Sequence, residues 1–433
     1  MQTQALPGFR EFYPADLSLR SHIFQTWRTV AARYGFEEYD GPPLEPLELY
    51  TSKSGDEIVG QLYEFEDKGK RRVALRPEMT PTLARMVAAR ANGLKKPIRW
   101  FSIPQLFRYE RQQRGRLREH FQLNCDLIGE PGPLGDAEIV ALALDVMRAF
   151  GLGPADVRVR LSDRRLLGGV LSSLGLDGGT EALAHQALDK LGRSEYAGRR
   201  QALSDAGVAA NAISRLESLK DLRDLDEVMR QFPDAAPAAG PLQAMLDALG
   251  AMGLADFVDL DLTIVRGLAY YTGTVFELFD AAKSHRALCG GGRYDNLLQS
   301  LGGVDLPALG FGMGDVVLAD LLRDRGVIPA EVASIDVFVA GVTPDDLPHV
   351  LRLAHELRDA NLRAEYALSA QTVGKQLKLA DTRQARWAVL VGPDERAKGE
   401  VMLKDLRGKG QAAVPRDEVA RRLVEARDAG RGS

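Results

Sequence analysis

The sequence predicts a mixed strand-and-helix region that is interrupted by a helical insertion and followed by a separate α/β domain. Three observations carry that reading. Period-two alternation runs through RLREHFQLNCD (116–126) and FVDLDLTIVRG (257–267). Between Leu166 and Met252 the chain turns Ala/Leu/Arg-rich, with helical periodicity and few β-branched runs. After Ile328-Pro329, strand-like IDVFVAG, LRAEYAL, RWAVLVG and GEVMLKDL appear. Helical stretches at Leu347–Ala360 and Ala370–Asp381 separate the first three, the signature of an α/β layer with a largely parallel sheet. The 433 residues suit two to four domains at about 150 residues each.

Taken in order, Pro14-Ala15-Asp16 opens a helix. Leu19, Ile23, Trp27, Val30 and Tyr34 share one of its faces, and Gly35 ends it. GPPLEPLELY (41–50) reads as extended. RVALRPEMTPTLARMVAAR (72–90) gives a strand, a Pro-containing turn and a helix. IRWFSIPQLFRYE (98–110) and RLREHFQLNCDLIG (116–129) are two strands around an Arg/Gln/Gly tip. DAEIVALALDVMRAFG is a helix from Asp136 to Gly151. TGTVFELF (272–279) is a strand, followed by glycine clusters at Gly290–Gly292 and GFGMG (310–314).

Bulk properties exclude several classes. A formal net charge of −4 argues against a protein living by nonspecific nucleic-acid binding, so any RNA contact must be local. Cys125 and Cys289 are the only cysteines and no His pair has HExxH spacing. Neither a disulfide scaffold nor a dedicated metal site is expected. Without a secretory leader or an apolar run of about 20 residues, the expectation is a soluble, cytoplasmic chain.

The chemistry concentrates in arginines and tyrosines. FRYERQQRGRLREHFQ (107–122) contains Arg108, Arg111, Arg114, Arg116 and Arg118, and no lysine. Guanidinium forks bind phosphate or carboxylate with two bonds, which a lysine point charge does not; the bland alternative is a solvated hairpin tip. Alternation puts Arg116, Arg118, His120, Gln122, Asn124 and Asp126 on one strand face. A polar face that long is either open to water or lines a cleft. LRPEMTPT adds Arg76, Glu78 and Thr80 at alternate positions, although Thr80 or Thr82 would also serve as a helix cap. VRGLAYYTGTVFE adds Arg266 with Tyr270 and Tyr271. CGGGRYDNL and GFGMGD permit close approach to a ligand but match neither GxxxxGK[ST] nor GxGxxG, so ATP, if bound, uses no P-loop or dinucleotide fold.

GFREFYP, GPPLE, LRPEMT, FRYERxxxGRxREHFQ, VRGLAYYTGTVFE, GGGRYDNL and GFGMG follow in one order along the chain, ahead of the C-terminal α/β segment. That series resembles the histidyl-tRNA synthetases, class II aminoacyl-tRNA synthetases, over nearly the whole length. The resemblance implies an α+β catalytic domain, an antiparallel sheet flanked by helices, over 1–165 and 253–328. It implies a helical insertion over 166–252 and an α/β anticodon-binding-like domain over 333–433. It implies ATP as substrate, with Mg2+ on its phosphates, and tRNA(His) as partner. GPPLE matches the first class II motif, used in homodimerisation.

By the same resemblance, Arg108 and Arg266 are the catalytic pair at the α-phosphate. Glu110, Arg116, Gly312 and Gly314 contact ATP. Glu78, Thr80 and Gln122 receive the α-ammonium of histidine, and Asp126, Tyr270, Tyr271 and Tyr294 form its side-chain pocket. Gln112, Gln113, Arg114 and Arg118 face the tRNA acceptor end. Two departures stand out: Val317 occupies the place of the third-motif arginine that stacks on adenine, and Ala269 stands where the family has aspartate. The alternative is a non-catalytic paralogue serving as regulatory subunit of ATP phosphoribosyltransferase. The strands after Ile335 and the arginine set speak against it.

Overall fold

The computed structural model describes residues 4–51, 59–110, 115–265, 271–282, 284–328, 335–408 and 410–429. The chain forms two compact units, Met1–Ile328 and Pro329–Ser433.

The first unit carries twelve strands among its described residues: β1 (Glu37–Glu38), β2 (Leu44–Pro46), β3 (Tyr63–Glu66), β4 (Arg72–Leu75), β5 (Ile98–Ser102), β6 (Gln105–Phe107), β7 (Glu119–Ile128), β8 (Val157–Asp163), β9 (Val258–Leu260), β10 (Thr274–Asp280), β11 (Cys289–Arg293) and β12 (Ala308–Gly314). Nine of them make one sheet in the order β1-β5-β7-β12-β11-β10-β8-β9, with β6 pairing on the far part of β7; β2, β4 and β3 form a small separate sheet. Within the large sheet the pairs β1–β5 and β8–β9 are parallel and the others antiparallel.

Register separates the two faces of this sheet. Phe101, Cys125, Phe311, Gly291, Phe276 and Leu161 stand in one cross-strand row. All but the glycine join the main apolar core, with Ile23, Trp27 and Val30 of the helix Pro14–Arg33 and with the helix Pro133–Ala149. The latter helix is apolar almost all round because it is buried almost all round. It starts one turn before Asp136, since Pro133 suits a first helical position.

Helices Arg164–Ser173, Gly178–Lys190, Tyr196–Asp205, Ala210–Ser218, Leu225–Gln231 and Gly240–Ala251 follow β8. The Asp163 carboxylate caps the first, accepting from Arg165 N and Leu166 N. Their apolar faces, Leu167, Leu188, Leu216, Val228 and Met245 among them, continue the main core.

Two segments differ from the sequence reading. Among the described residues, FVDLDLTIVRG yields only the three-residue β9, because the Asp261 carboxylate accepts from Thr263 N and Oγ1 and turns the chain. GPPLEPLELY is extended only through Pro46. A single helical turn, Glu48–Thr51, then buries Tyr50.

In the second unit, β13 (Val337–Gly341), β14 (Ala364–Tyr366) and β15 (Trp387–Val391) are parallel. β16 (Glu400–Asp405) and β17 (Gln411–Pro415) close the sheet as an antiparallel hairpin. β17 has one buried side chain, Val414, and so left little periodic signal. Val337, Val339, Leu353, Leu357, Trp387, Val389 and Leu423 fill the core between this sheet and its helices.

Candidate active site

The sheet face opposite the main core is built around missing side chains. Trp100, Asp126, Gly310, Gly292, Val275 and Ser162 form one row; Ser102, Asn124, Gly312, Gly290, Glu277 and Arg160 form the next. Four glycines in the two central strands therefore leave a trough floored by backbone. Its walls lean in closely. A Cβ on Gly310 would lie 2.4 Å from Asp126 Oδ1, and one on Gly312 would lie 2.7 Å from the Gln122 amide. One on Gly290 would meet nothing within 4 Å, so the trough is open there.

One end is a small pocket. Asp126 is 4% exposed, and its carboxylate accepts a hydrogen bond from the Tyr294 hydroxyl. Burial pushes the Asp126 pKa up to about 7, and the Tyr294 bond partly offsets that push. The Tyr271 ring packs over Gly292, 3.1 Å from where its Cβ would sit. Burial raises the Tyr271 hydroxyl, as do Cys289 and the carboxylates of Glu78 and Asp126. Glu78 is itself buried, in the turn before the helix Thr80–Arg90. That helix has no side-chain cap: Thr80 opens it partly exposed, while the Thr82 hydroxyl donates to Glu45.

The other end widens into a cavity of about 710 Å³. Arg108, Glu110, Gly115, Arg116, His120 and Gly314 line one side, and Arg160, Asp261, Glu277 and Phe279 line another. The end of the helix Gly178–Lys190 and the turn after it close it with Leu188, Asp189, Leu191 and Arg193. Arg108 Nε donates to the carbonyl of Pro77 at 2.9 Å, which ties this guanidinium to the residue beside Glu78. Arg116 pairs with the buried Glu110 carboxylate at 2.8 Å. Desolvation, with Arg108 and Arg10 adding positive potential, pushes the His120 pKa down to about 3, so the cavity wall carries a neutral imidazole. The arrangement suits a polar ring at the narrow end, an anion beside Arg108, and a larger polar body in the wide end.

Residues 8–315 match the family described as histidyl-tRNA synthetase, and residues 336–426 match the anticodon binding domain. The chain belongs to the histidyl-tRNA synthetase family. It is 47% identical to the histidine–tRNA ligase of Opitutus terrae over 96% of this chain and 97% of that protein. It is 43% identical to that of Natronomonas pharaonis over 95% of each. The crystal structure of histidyl-tRNA synthetase from Nostoc sp. PCC 7120 superposes with a TM-score of 0.84 at 25% identity, covering 98% of this chain and 100% of that one. These neighbours bear out the class II-like α+β fold class with its C-terminal domain.

Of the residues that the family resemblance singled out, the structure brings Asp126, Tyr271, Tyr294 and Glu78 to the narrow end, and Arg108, Glu110, Arg116 and Gly314 to the wide one. Gln122 and Gly312 lie between them. Arg266, Tyr270, Gln112, Gln113, Arg114 and Ala269 lie outside the described residues. Arg118 does not line the cavity; its guanidinium stacks 4.1 Å over the Tyr109 ring and its stem packs on Gly8. Arg76 is a clamp, donating to Asp40 and to the carbonyls of Gly41 and Gln105.

Sequence reasoning missed three supports of the site. Arg293, 1% exposed, donates to Asp136 and Asp295 and to the carbonyls of Glu130 and Gly132, fixing the strand end that carries Tyr294. Arg10 bridges Glu119 at 2.6 Å and Asp315 at 2.8 Å, anchoring the turn before Val316 and Val317. Arg286 enters the cavity wall beside Val317. The Arg-Tyr dipeptide at 293–294 was the available signal for the first; the other two meet the site from places distant in sequence, which no local pattern encodes.

Proposed function

We propose that this chain activates histidine with ATP and transfers it to tRNA(His). The observation that carries the reading is one continuous trough with the buried Asp126–Tyr294 pair at its narrow end and Arg108 where it widens. Histidine seats its imidazole against Asp126, which accepts a ring N–H, with the Tyr271 ring alongside. A site that leaves its own carboxylate and phenol unpaired with an apolar analogue rejects that analogue strongly. The α-ammonium is received by Glu78, Thr80 and Gln122. This places the substrate carboxylate toward Arg108, because Arg108 is tied to Pro77 next to Glu78.

The wide cavity receives ATP, and Mg2+ arrives on its phosphates as part of the substrate. A histidine carboxylate oxygen attacks the α-phosphorus, the bond to the bridging oxygen breaks, and pyrophosphate leaves. Negative charge builds on the non-bridging oxygens, where a fixed guanidinium lowers the barrier. Arg108 supplies it from one side, and Arg266 is assigned the other by its place in VRGLAYYTG. A ribose hydroxyl of the terminal adenosine then attacks the carbonyl carbon of the adenylate and AMP leaves. Residues 333–433 bind the anticodon region, Gln112, Gln113, Arg114 and Arg118 attend the acceptor end, and two copies pair through GPPLE, where Leu44 is exposed.

The test is pyrophosphate exchange into ATP with each of the standard amino acids, followed by charging of total tRNA. Exchange that depends on histidine alone is expected, with loss of most turnover but not of ATP binding in Arg266→Lys. Exchange with a different amino acid, or none, overturns the reading.

A further inference from the structure

The family pattern puts an arginine where this chain has Val317, which leaves open what cation, if any, faces the nucleotide base. We infer that Arg286 takes that role, reaching the same spot from the connection between β10 and β11 rather than from the helix Asp315–Arg325. The inference rests on the ATP reading of the wide cavity.

Three observations carry it. First, Arg286 and Val317 converge. Both line the cavity, and both touch the position that a Cβ of Gly115 would take, Val317 Cγ2 at 3.3 Å and Arg286 Cδ at 3.7 Å. Second, the register orders the trough. Asp126, Gly310 and Gly292 share the row at the narrow end, while Val317 lies three residues beyond Gly314 and Arg286 three residues before Cys289. Both therefore lie past the ends of β12 and β11 that point away from Asp126. With the phosphates held near Arg108, the base of the nucleotide falls at this far end. Third, the surroundings suit a flat heterocycle. Leu117, Val316 and Val317 supply an aliphatic ledge, and a guanidinium beside it covers the opposite ring face by cation–π and stacking contact.

Three of the other arginines of the described wall have contacts of their own. Arg108 donates to Pro77, Arg116 pairs with Glu110, and Arg160 lies 4.6 Å over the Phe279 ring.

The experiment compares wild type, Arg286→Ala and Arg286→Lys in histidine-dependent pyrophosphate exchange, with adenosine and tripolyphosphate as competing probes. Arg286 is exposed, so both variants are expected to fold, which unchanged melting temperatures verify. In Arg286→Ala the KM for ATP and the inhibition constant of adenosine should rise about 3- to 30-fold. The inhibition constant of tripolyphosphate and the KM for histidine should stay within about twofold. Lysine should recover only part of the loss, because it lacks the planar fork. An unchanged adenosine constant in an active enzyme overturns the assignment, and so does an equal loss for tripolyphosphate, which would make Arg286 a phosphate contact. A wild type without exchange refutes the ATP reading itself, a result distinct from either.

Discussion

Replacing Asp126 by asparagine separates the function of the pocket from its stability. The buried carboxylate has a pKa near 7, against an ordinary value of 3.8. Ionising it in the empty pocket therefore costs on the order of 4 kcal/mol, at about 1.4 kcal/mol per pH unit. Between pH 4 and 7 the folded state holds a proton that the unfolded state has released, so stability falls as pH rises through this window and levels off above it. Asparagine mimics the protonated form. Asp126→Asn should match wild type near pH 4 and exceed it by up to a few kcal/mol at pH 8, read as a melting-temperature gap that opens with pH.

Catalysis should move the other way. A charge-assisted bond from the imidazole N–H is worth about 1.5–3 kcal/mol, so kcat/KM for histidine in pyrophosphate exchange should fall about 10- to 150-fold, with the KM for ATP little changed. The wild-type limb near pH 7 should vanish from the histidine profile, leaving only the substrate imidazole, which titrates at about 6.5. A melting gap independent of pH, or a histidine kcat/KM that survives the substitution, would refute the claim that this carboxylate is both buried at a cost and used to read the ring.

Gly310→Ala inserts a methyl 2.4 Å from Asp126 Oδ1 and 2.5 Å from the Cys125 carbonyl; the KM for histidine should rise about tenfold or more in exchange assays while the KM for ATP stays close to wild type. Arg293→Ala strands the Asp136 carboxylate, which is 4% exposed, and urea titration should show a loss of about 3–5 kcal/mol. Arg108→Lys keeps a charge but gives up the planar fork and the bond to Pro77, so single-turnover adenylate formation should slow about 100-fold or more while histidine binding, followed by calorimetry, persists.

What was legible in the sequence was whatever repeats at short range. Alternation in RLREHFQLNCD placed Gln122, Asn124 and Asp126 on one face of β7, and register puts the latter two in the trough rows. The same alternation failed in FVDLDLTIVRG, where one Asp261 side chain bonding two residues ahead ends the strand. The two glycine clusters, which had no element assigned to them, lie in strands β11 and β12. Their pattern makes sense only across the sheet: Gly290, Gly292, Gly310 and Gly312 face the trough while Phe311 and Met313 face the core. A glycine that keeps a floor bare for substrate is indistinguishable, residue by residue, from one that permits a turn.

The supports of the site were illegible for a related reason. Arg10 meets Asp315 across 305 positions and Arg293 meets Asp136 across 157, so neither leaves a local trace. They hold the two β-strand ends from which Tyr294 and Val317 follow. The residues that touch substrate in the proposed reaction sit in recognisable strings. The charges that keep those strings in place were selected in three dimensions. That division explains how Val317 can replace an arginine without dismantling the cavity: the turn it sits on is held by the Arg10–Asp315 pair, and a guanidinium facing it is required of the wall as a whole rather than of that one position.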